Sequence, residues 1–138
     1  MMSYNHLPHI SPDMITNLKP NQVFVFGSNL AGSHGGGAAR QAFEKFGAKW
    51  GVGVGPTGQS YAIPTMHGGL SAIQPYVEQF LEYAKANPDK EFLVTRIGCG
   101  IAGFTDSQMA PLFKAALAIP NIALPALWWK ILTMQYSR

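Results

Sequence analysis

The sequence predicts an α/β fold in which helices cover both faces of a parallel or mixed sheet. Strand patterns alternate along the chain with segments whose apolar residues recur at helical spacing. Two glycine-rich stretches each follow a predicted strand and precede a predicted helix, as in βα units. The length of 138 residues fits one domain, and no linker divides it. We therefore expect a single domain over residues 1–138, with an apolar C-terminal tail at 125–138.

Composition excludes several classes of protein. Hydrophobic residues make up 47% of the chain and charged residues 12%, which is unlike a disordered segment. A single cysteine, Cys99, excludes an intramolecular disulfide. No apolar run approaches the ~18 residues of a membrane span, and residues 1–7 lack the apolar core of a signal peptide. We therefore expect a cytoplasmic protein with no membrane partner.

The net charge of +3 does not by itself indicate a nucleic-acid partner. The ten Lys and Arg residues are scattered along the chain rather than clustered. Polyanion binding needs many simultaneous phosphate contacts, so we expect no nucleic-acid partner. A small anion remains compatible with the sequence, because such a ligand needs backbone donors more than net charge.

The first half of the chain predicts two strands separated by a helix. The strands lie at residues 22–27 and 60–65, and residues 51–58 are predicted to be a loop because they are rich in glycine. The helix starts at Ala38 and ends at Gly47. Its apolar residues recur with helical spacing: Ala39, Ala42, Phe43 and Phe46.

The second half predicts two more helices and two more strands. Ser71 and Gln74 have the spacing of a capping box, which predicts a helix that ends at Asn87 and Pro88. A strand is predicted at residues 91–97, a third helix starts within 105–107, and a last short strand covers 121–124. The apolar stripe of the first of these helices consists of Ile73, Tyr76, Val77, Phe80, Leu81 and Ala84.

The tail at residues 128–136 is strongly apolar for a chain terminus. One interpretation is that it packs on its own domain. The alternative is that Trp128 and Trp129 form a contact in a homo-oligomer, since exposed apolar patches commonly mark interfaces. The periodicity does not decide between them.

Chemistry is expected at the two glycine-rich stretches, which we call the first loop (residues 27–37) and the second loop (residues 98–104). Both would lie at the carboxyl ends of strands, where ligands bind in α/β sheets. Glycine lets the backbone approach a phosphate closely and turn its N–H groups towards it. Two such loops could contact a diphosphate from both sides. Neither loop matches a P-loop or a dinucleotide fingerprint.

The loops also carry a resemblance to a known family. The first motif, V-F-V-F-G-S-N-L-A-G-S-H-G-G-G-A-A at residues 23–39, resembles the first signature of macrodomains. The second motif, F-L-V-T-R-I-G-C-G-I-A-G-F at 92–104, resembles their second phosphate loop, most closely in the branch that hydrolyses glutamate-linked ADP-ribose. The segment Asp13-Met14-Ile15-Thr16 is similar to the family's Gly-Asp-Ile-Thr segment. Small bacterial and phage proteins built around F-V-F-G-S-N look similar as well.

The resemblance implies a three-layer α/β/α fold with a mixed central sheet and a site for ADP-ribose or a related NAD-derived nucleotide, free or on an ADP-ribosylated protein. Asp13 would recognise adenine, and Asn29 and Phe104 would lie at the distal ribose. No cofactor and no metal site is expected. The implied ligand-binding residues are Asp13, Gly27, Ser28, Asn29, Gly35, Gly36, Gly37, Ala38, Gly98, Cys99, Gly100, Ile101, Ala102, Gly103 and Phe104.

Departures from the family pattern favour a binding module over an enzyme. The glutamate-hydrolase branch has a Lys and an Asp where this chain has Met66 and Ala102, and the mono-ADP-ribosyl hydrolase branch has an Asp where it has Ala39. An alternative is a glycohydrolase or deacylase that acts on ADP-ribosyl bonds through Asn29, His34 and an ordered water. A second alternative is an interaction protein without a ligand, which uses its apolar tail.

Overall fold

The computed structural model describes residues 8–134, and its elements alternate as the sequence predicts. The strands are β1 (Ile10–Ser11), β2 (Gln22–Ser28), β3 (Gly55–Thr57), β4 (Ser60–Pro64), β5 (Glu91–Val94) and β6 (Ile122–Pro125). The helices are α1 (Gly37–Lys45), α2 (Leu70–Ala86), α3 (Asp106–Met109) and α4 (Ala126–Met134), and a 3₁₀ helix (Ala110–Ala118) follows α3 directly.

The six strands form one mixed sheet in the order β1-β6-β5-β2-β4-β3. Only β3 runs antiparallel to its neighbour, β4, and the remaining pairs are parallel. Strand β2 lies between β4 and β5, so that Val25 is paired with Tyr61 on one side and with Val94 on the other. The carboxyl ends of these three parallel strands therefore meet at one edge of the sheet.

The sheet separates two apolar cores, and this confirms the three-layer α/β/α fold. Alternate residues of β2 point to opposite faces, as the strand period requires. Val23 and Val25 belong to the larger core, which α2, the 3₁₀ helix and α4 cover. Phe24 and Phe26 belong to the smaller core, which α1 covers.

The sequence did not predict two of the short strands. Strand β3 lies inside the segment predicted to be a loop, and β1 was not predicted at all. Both contain only two or three residues, and pairing with β6 and β4 rather than local composition makes them strands. Strand β5 is shorter than predicted, since it ends at Val94 where the chain turns into the second loop.

The predicted capping box of the second helix is wrong. Helix α2 begins at Leu70 after Gly69, no side chain caps it, and the Gln74 amide instead binds Glu78. Pro75 lies inside the helix, beyond its first turn. A capping box does occur at α3, where Thr105 and Gln108 cap each other's backbone N–H groups. In α1, Phe43 is exposed rather than part of the buried stripe, and its ring packs edge-on against Trp50.

The apolar tail packs on its own domain. Trp128 and Trp129 of α4 are buried, and their indole N–H groups donate to Asp106 Oδ1 at 2.7 Å and to the His9 carbonyl at 2.8 Å. The end of the predicted tail, residues 135–138, lies outside the described residues. None of the helices between residues 8 and 134 has both the length and the hydropathy that a membrane crossing requires.

The close approach of the first loop to residues 51–53 gives a stability test. A Cβ atom at Gly53 would lie 2.1 Å from the Asn29 carbonyl oxygen and 2.7 Å from that of Leu30. Gly53→Ala should therefore lower the free energy of unfolding by about 2–3 kcal/mol, since two backbone segments must move apart. Gly35→Ala is the control, because a Cβ there meets nothing within 4 Å. Urea unfolding of both variants measures the difference, and equal stabilities would contradict the close approach.

Candidate nucleotide site

Both loops line a single groove at the carboxyl edge of the sheet. The groove has a volume of about 420 Å³, within the range of small-molecule sites. It is lined by residues that follow β2, β4 and β5 and by the start of α1. The lining residues are Gly27, Ser28, Asn29, Ser33, Gly36, Gly37, Ala38, Ala39, Thr65, Met66, Thr95, Arg96, Ile97, Gly98, Cys99, Gly100, Ile101 and Ala102.

The side-chain amide of Asn29 and the neighbouring backbone at Gly51 hold the first loop in shape. The Asn29 side chain accepts from the Ser33 N–H at 2.9 Å and donates to the Ser33 carbonyl at 3.0 Å. Gly32, which has a φ of +70°, packs so closely on Gly51 that a Cβ would lie 2.4 Å from the Gly51 carbonyl carbon. These contacts fix the loop before any ligand binds.

The first loop delivers the uncapped end of α1 to the groove. Gly36 is extended at the N-cap, and no side chain caps the helix. The first N–H groups of a helix have no acceptor within the helix itself. Within the described residues 8–134, the N–H groups of Gly37, Ala38 and Ala39 have no acceptor. Their donors and the helix dipole therefore favour an anion at this position.

The second loop presents backbone donors from the opposite wall. Its ends are closed by a hydrogen bond of 2.8 Å from the Phe104 N–H to the Gly98 carbonyl. Gly98 has a φ of +80°, and a Cβ there would lie 2.8 Å from Met109 Sδ, so only glycine fits. The N–H groups of Gly100, Ile101 and Ala102 have no acceptor in the described part of the chain. Two sets of backbone donors without an acceptor therefore belong to residues that line one groove.

One cation, Arg96, stands among the lining residues of the groove. Its Nε donates to Asp106 Oδ1 at 2.9 Å and its Nη2 to Asp106 Oδ2 at 2.5 Å. The hydrogen bond from Arg96 is the main reason that the pKa of Asp106 falls from 3.8 to about 2, and the Trp128 indole adds to the effect. Asp106 is therefore ionised throughout the physiological range.

The Cys99 thiol is poorly suited to be a nucleophile. Burial, followed by the negative charge of Asp106 with its Oδ1 at 3.6 Å, raises the pKa of Cys99 from 9.0 to about 11. A thiolate, rather than a thiol, is the reactive form.

A smaller pocket adjoins the groove and contains Asp13. Its volume is about 250 Å³, and Ala38 and Thr95 line both cavities. Gln41 of α1 holds the Asp13 segment in place by donating to the Ile15 carbonyl. Phe24 forms part of the pocket's apolar wall. The two cavities therefore share part of their lining.

Eleven of the sequence-predicted residues line the groove, and five lie elsewhere. Asp13 lines the adjoining pocket, Gly35 is exposed, Gly103 forms a turn, and Phe104 packs against the larger core. His34 is buried beside Phe26, and its Nε2 lies 2.9 Å from the Lys49 carbonyl oxygen. Its Nδ1 is buried without a partner in the described residues.

Sequence reasoning did not select several lining residues as part of the site. Ser33, Thr65, Thr95, Arg96 and Ile97 all line the groove. Four of them follow β4 or β5, so the rule that ligands bind at the carboxyl ends of parallel strands could have found them. Their direction towards the groove depends on strand order, which the sequence does not reveal.

A metal centre has no support in the described residues. No three His, Cys, Asp or Glu side chains between residues 8 and 134 come together in a way that could hold a metal ion. His6 lies outside that range.

The lowered pKa of Asp106 predicts a stability change in acid. Because the folded pKa lies below the unfolded one, the carboxylate contributes fully above about pH 4 and loses its contribution as the pH falls towards about 2. Wild type should lose about 1–2 kcal/mol more than Asp106→Asn between about pH 5 and pH 2. Urea unfolding of both proteins across this pH range measures the difference. If their free energies of unfolding fall in parallel, the prediction is refuted.

The raised pKa of Cys99 predicts a slow reaction with alkylating reagents. At about pH 8 the thiolate fraction should be about a hundred times smaller than for a thiol of ordinary pKa. The rate of carboxamidomethylation by iodoacetamide, followed by mass spectrometry across pH, should rise with a midpoint near 11. N-acetylcysteine serves as the reference thiol. A midpoint at or below that of the reference would show that the thiol is not shielded.

Protein-family models, curated proteins and solved structures were compared with the chain, and none of them matches it. The macrodomain resemblance therefore depends on the two loop motifs and the Asp13 segment. The function has to be inferred from the chemistry of the groove.

Proposed function

We propose that the protein binds ADP-ribose or a related NAD-derived nucleotide in the groove, as a reader or sequestering module. The observation that carries the proposal is the pair of backbone donor sets, at the start of α1 and in the second loop, that face the same cavity. A diphosphate has oxygens on both phosphorus atoms and can accept from both sets at once. Backbone donors and a helix terminus are a common way to bind such anions.

The adjoining pocket supports a nucleotide rather than free diphosphate. Asp13 can accept a hydrogen bond from the exocyclic amine of an adenine base, and Phe24 offers an apolar surface. Ala38 and Thr95 connect the two cavities, so a base and a diphosphate would be bound by adjoining walls. A base alone, as in AMP, would use only part of this surface.

The lining residues favour binding over hydrolysis. The positions where the family resemblance would place catalytic Lys and Asp side chains are Met66 and Ala102, and Ala39 stands at the third such position. All three line the groove and have no titratable atom. General acid–base catalysis near neutral pH needs a group whose pKa lies near the working pH. The titratable side chains among the lining residues are Arg96, which stays charged, and Cys99, with its raised pKa.

The residues of the hydrolase alternative have other contacts. The Asn29 amide binds the Ser33 backbone through both its oxygen and its nitrogen. His34 is buried and is not one of the groove-lining residues. A hydrolase that uses His34 would need the first loop to rearrange. The alternative of an interaction protein built on the tail has less support, because Trp128 and Trp129 are buried in their own domain.

Isothermal titration of the full chain with ADP-ribose tests the proposal. A dissociation constant in the micromolar range, about −8 kcal/mol, is expected, with much weaker binding of AMP. NAD serves as a further probe, because it shares the adenosine and the diphosphate. Silence with all three nucleotides would refute the proposal.

Two glycine-to-glutamate variants locate the binding site. Gly36→Glu puts a carboxylate at the N-cap of α1, where it would compete with the diphosphate for the same donors, so ADP-ribose binding should fall by at least about a hundredfold. Gly69→Glu is the matched control, since Gly69 is the uncapped N-cap of α2 and is not a lining residue. Equal affinities of the two variants would place the ligand elsewhere.

A further inference from the structure

Arg96 differs from the rest of the groove because it offers a charged side chain where the other anion donors are backbone groups. Its side chain is 59% exposed, while that of Asp106 is 14% exposed. The two groups form a fork-to-fork pair with hydrogen bonds of 2.9 Å and 2.5 Å. This geometry fixes the plane of the guanidinium as well as its position.

Asp106 is itself held from the interior of the protein. The indole N–H of Trp128 donates to Asp106 Oδ1 at 2.7 Å, and Trp128 is fully buried in the larger core. Asp106 is also the first residue of α3, directly after the N-cap Thr105 and within the Thr105–Gln108 capping box. A rigid chain of contacts therefore runs from α4 through the carboxylate to the guanidinium.

Arg96 keeps donors that this pair does not use. A guanidinium has five N–H groups, and the pair with Asp106 uses two of them. Arg96 follows Thr95, which lines both the groove and the adjoining pocket, and the charge of Asp13 acts on Arg96. Arg96 therefore lines the groove and directly follows Thr95, which lies at the junction of the two cavities.

The contribution of the Asp106 carboxylate to stability does not by itself explain why an exposed guanidinium is held at the groove. Ion pairs with one largely exposed partner contribute little to stability, because water screens them. Arg40 and Glu44 on α1 form such a pair at 3.0 Å without any buried support. The pair at Arg96 differs in having a buried indole behind the carboxylate and a cavity in front of the guanidinium.

We propose that Arg96 contacts a phosphoryl oxygen of a nucleoside diphosphate ligand at this junction and that Asp106 is the positioning residue that aims it. The inference depends on the proposed function and adds a specificity determinant to it. The guanidinium discriminates in favour of ligands that carry phosphate next to the nucleoside, and the backbone donors bind the rest of the diphosphate. Replacing Asp106 leaves the positive charge of Arg96 in place but removes the contact that fixes the orientation of its guanidinium.

A double-mutant cycle on ADP-ribose binding tests both roles. Arg96→Gln should weaken binding by about ten- to a hundredfold, the usual effect of losing a charge-assisted hydrogen bond. Asp106→Asn should weaken it by a smaller factor, and the double variant should bind no more weakly than Arg96→Gln alone. Arg40→Gln is the matched control, since it removes one positive charge and one ion pair outside the groove. Wild-type affinity is expected for it.

The outcomes separate this inference from the proposed function. If Arg96→Gln binds as tightly as Arg40→Gln while Gly36→Glu loses binding, the inference falls and the proposed function stands. If the losses of binding free energy from Arg96→Gln and Asp106→Asn are additive in the double variant, Asp106 does not act through Arg96. Its positioning role is then refuted. If wild type binds none of ADP-ribose, AMP and NAD, both are refuted. Arg96→Lys is the second variant for the case in which Asp106→Asn does not fold: it keeps the charge and should still bind more weakly than wild type.

Discussion

The parallel pairing of β2 with both β4 and β5 is the constraint on which the groove depends. It places the carboxyl ends of three strands side by side, so the segments after Ser28, Pro64 and Val94 must leave the sheet at the same edge. The Thr65 N–H donates to the Ser28 carbonyl at 2.9 Å, and the Thr95 N–H donates to the Val25 carbonyl at 3.1 Å, which extends the pairing into the loops. Both glycine loops are therefore neighbours in space although about seventy residues separate them in sequence.

Glycine is needed here for packing as well as for turning. At Gly53 and Gly32 the absent side chains let two backbone segments touch, which supports the first loop from behind. At Gly98 a positive φ coincides with close contact to Met109 of α3. By contrast, Gly35 and Gly100 have open space around the position of a Cβ. The glycines of each loop thus divide into those that hold the loop to the fold and those that leave its outer surface open to a ligand.

The sequence predicted what depends on local pattern and missed what depends on long-range pairing. The apolar periodicity of α2 and the strand character of β2 were evident, because each repeats over several residues. The two- and three-residue strands β1 and β3 have no such repeat, and only their partners define them. The same reason explains why the role of Arg96 was missed. Arg96 and Asp106 are ten positions apart, and the sequence between them gives no sign of an ion pair, because Trp128, far away in the chain, fixes the carboxylate. The sequence likewise did not predict that His34, within the first loop, is buried, since its burial depends on Phe26, Lys49 and Trp50.

A groove built mainly from backbone donors has a particular consequence for function. Backbone N–H groups recognise the shape and charge of a diphosphate, but they are neither acids nor bases near neutral pH. Catalysis on such a ligand would require a titratable side chain at the scissile bond, and the groove offers Ala39, Met66 and Ala102 at the three positions where the resemblance would have placed one. Arg96 is permanently charged, so it can orient and select a ligand without exchanging protons with it. The described lining residues therefore support the proposed role in recognition, and the proposed selectivity depends on Arg96, which Asp106 and the buried Trp128 hold in place.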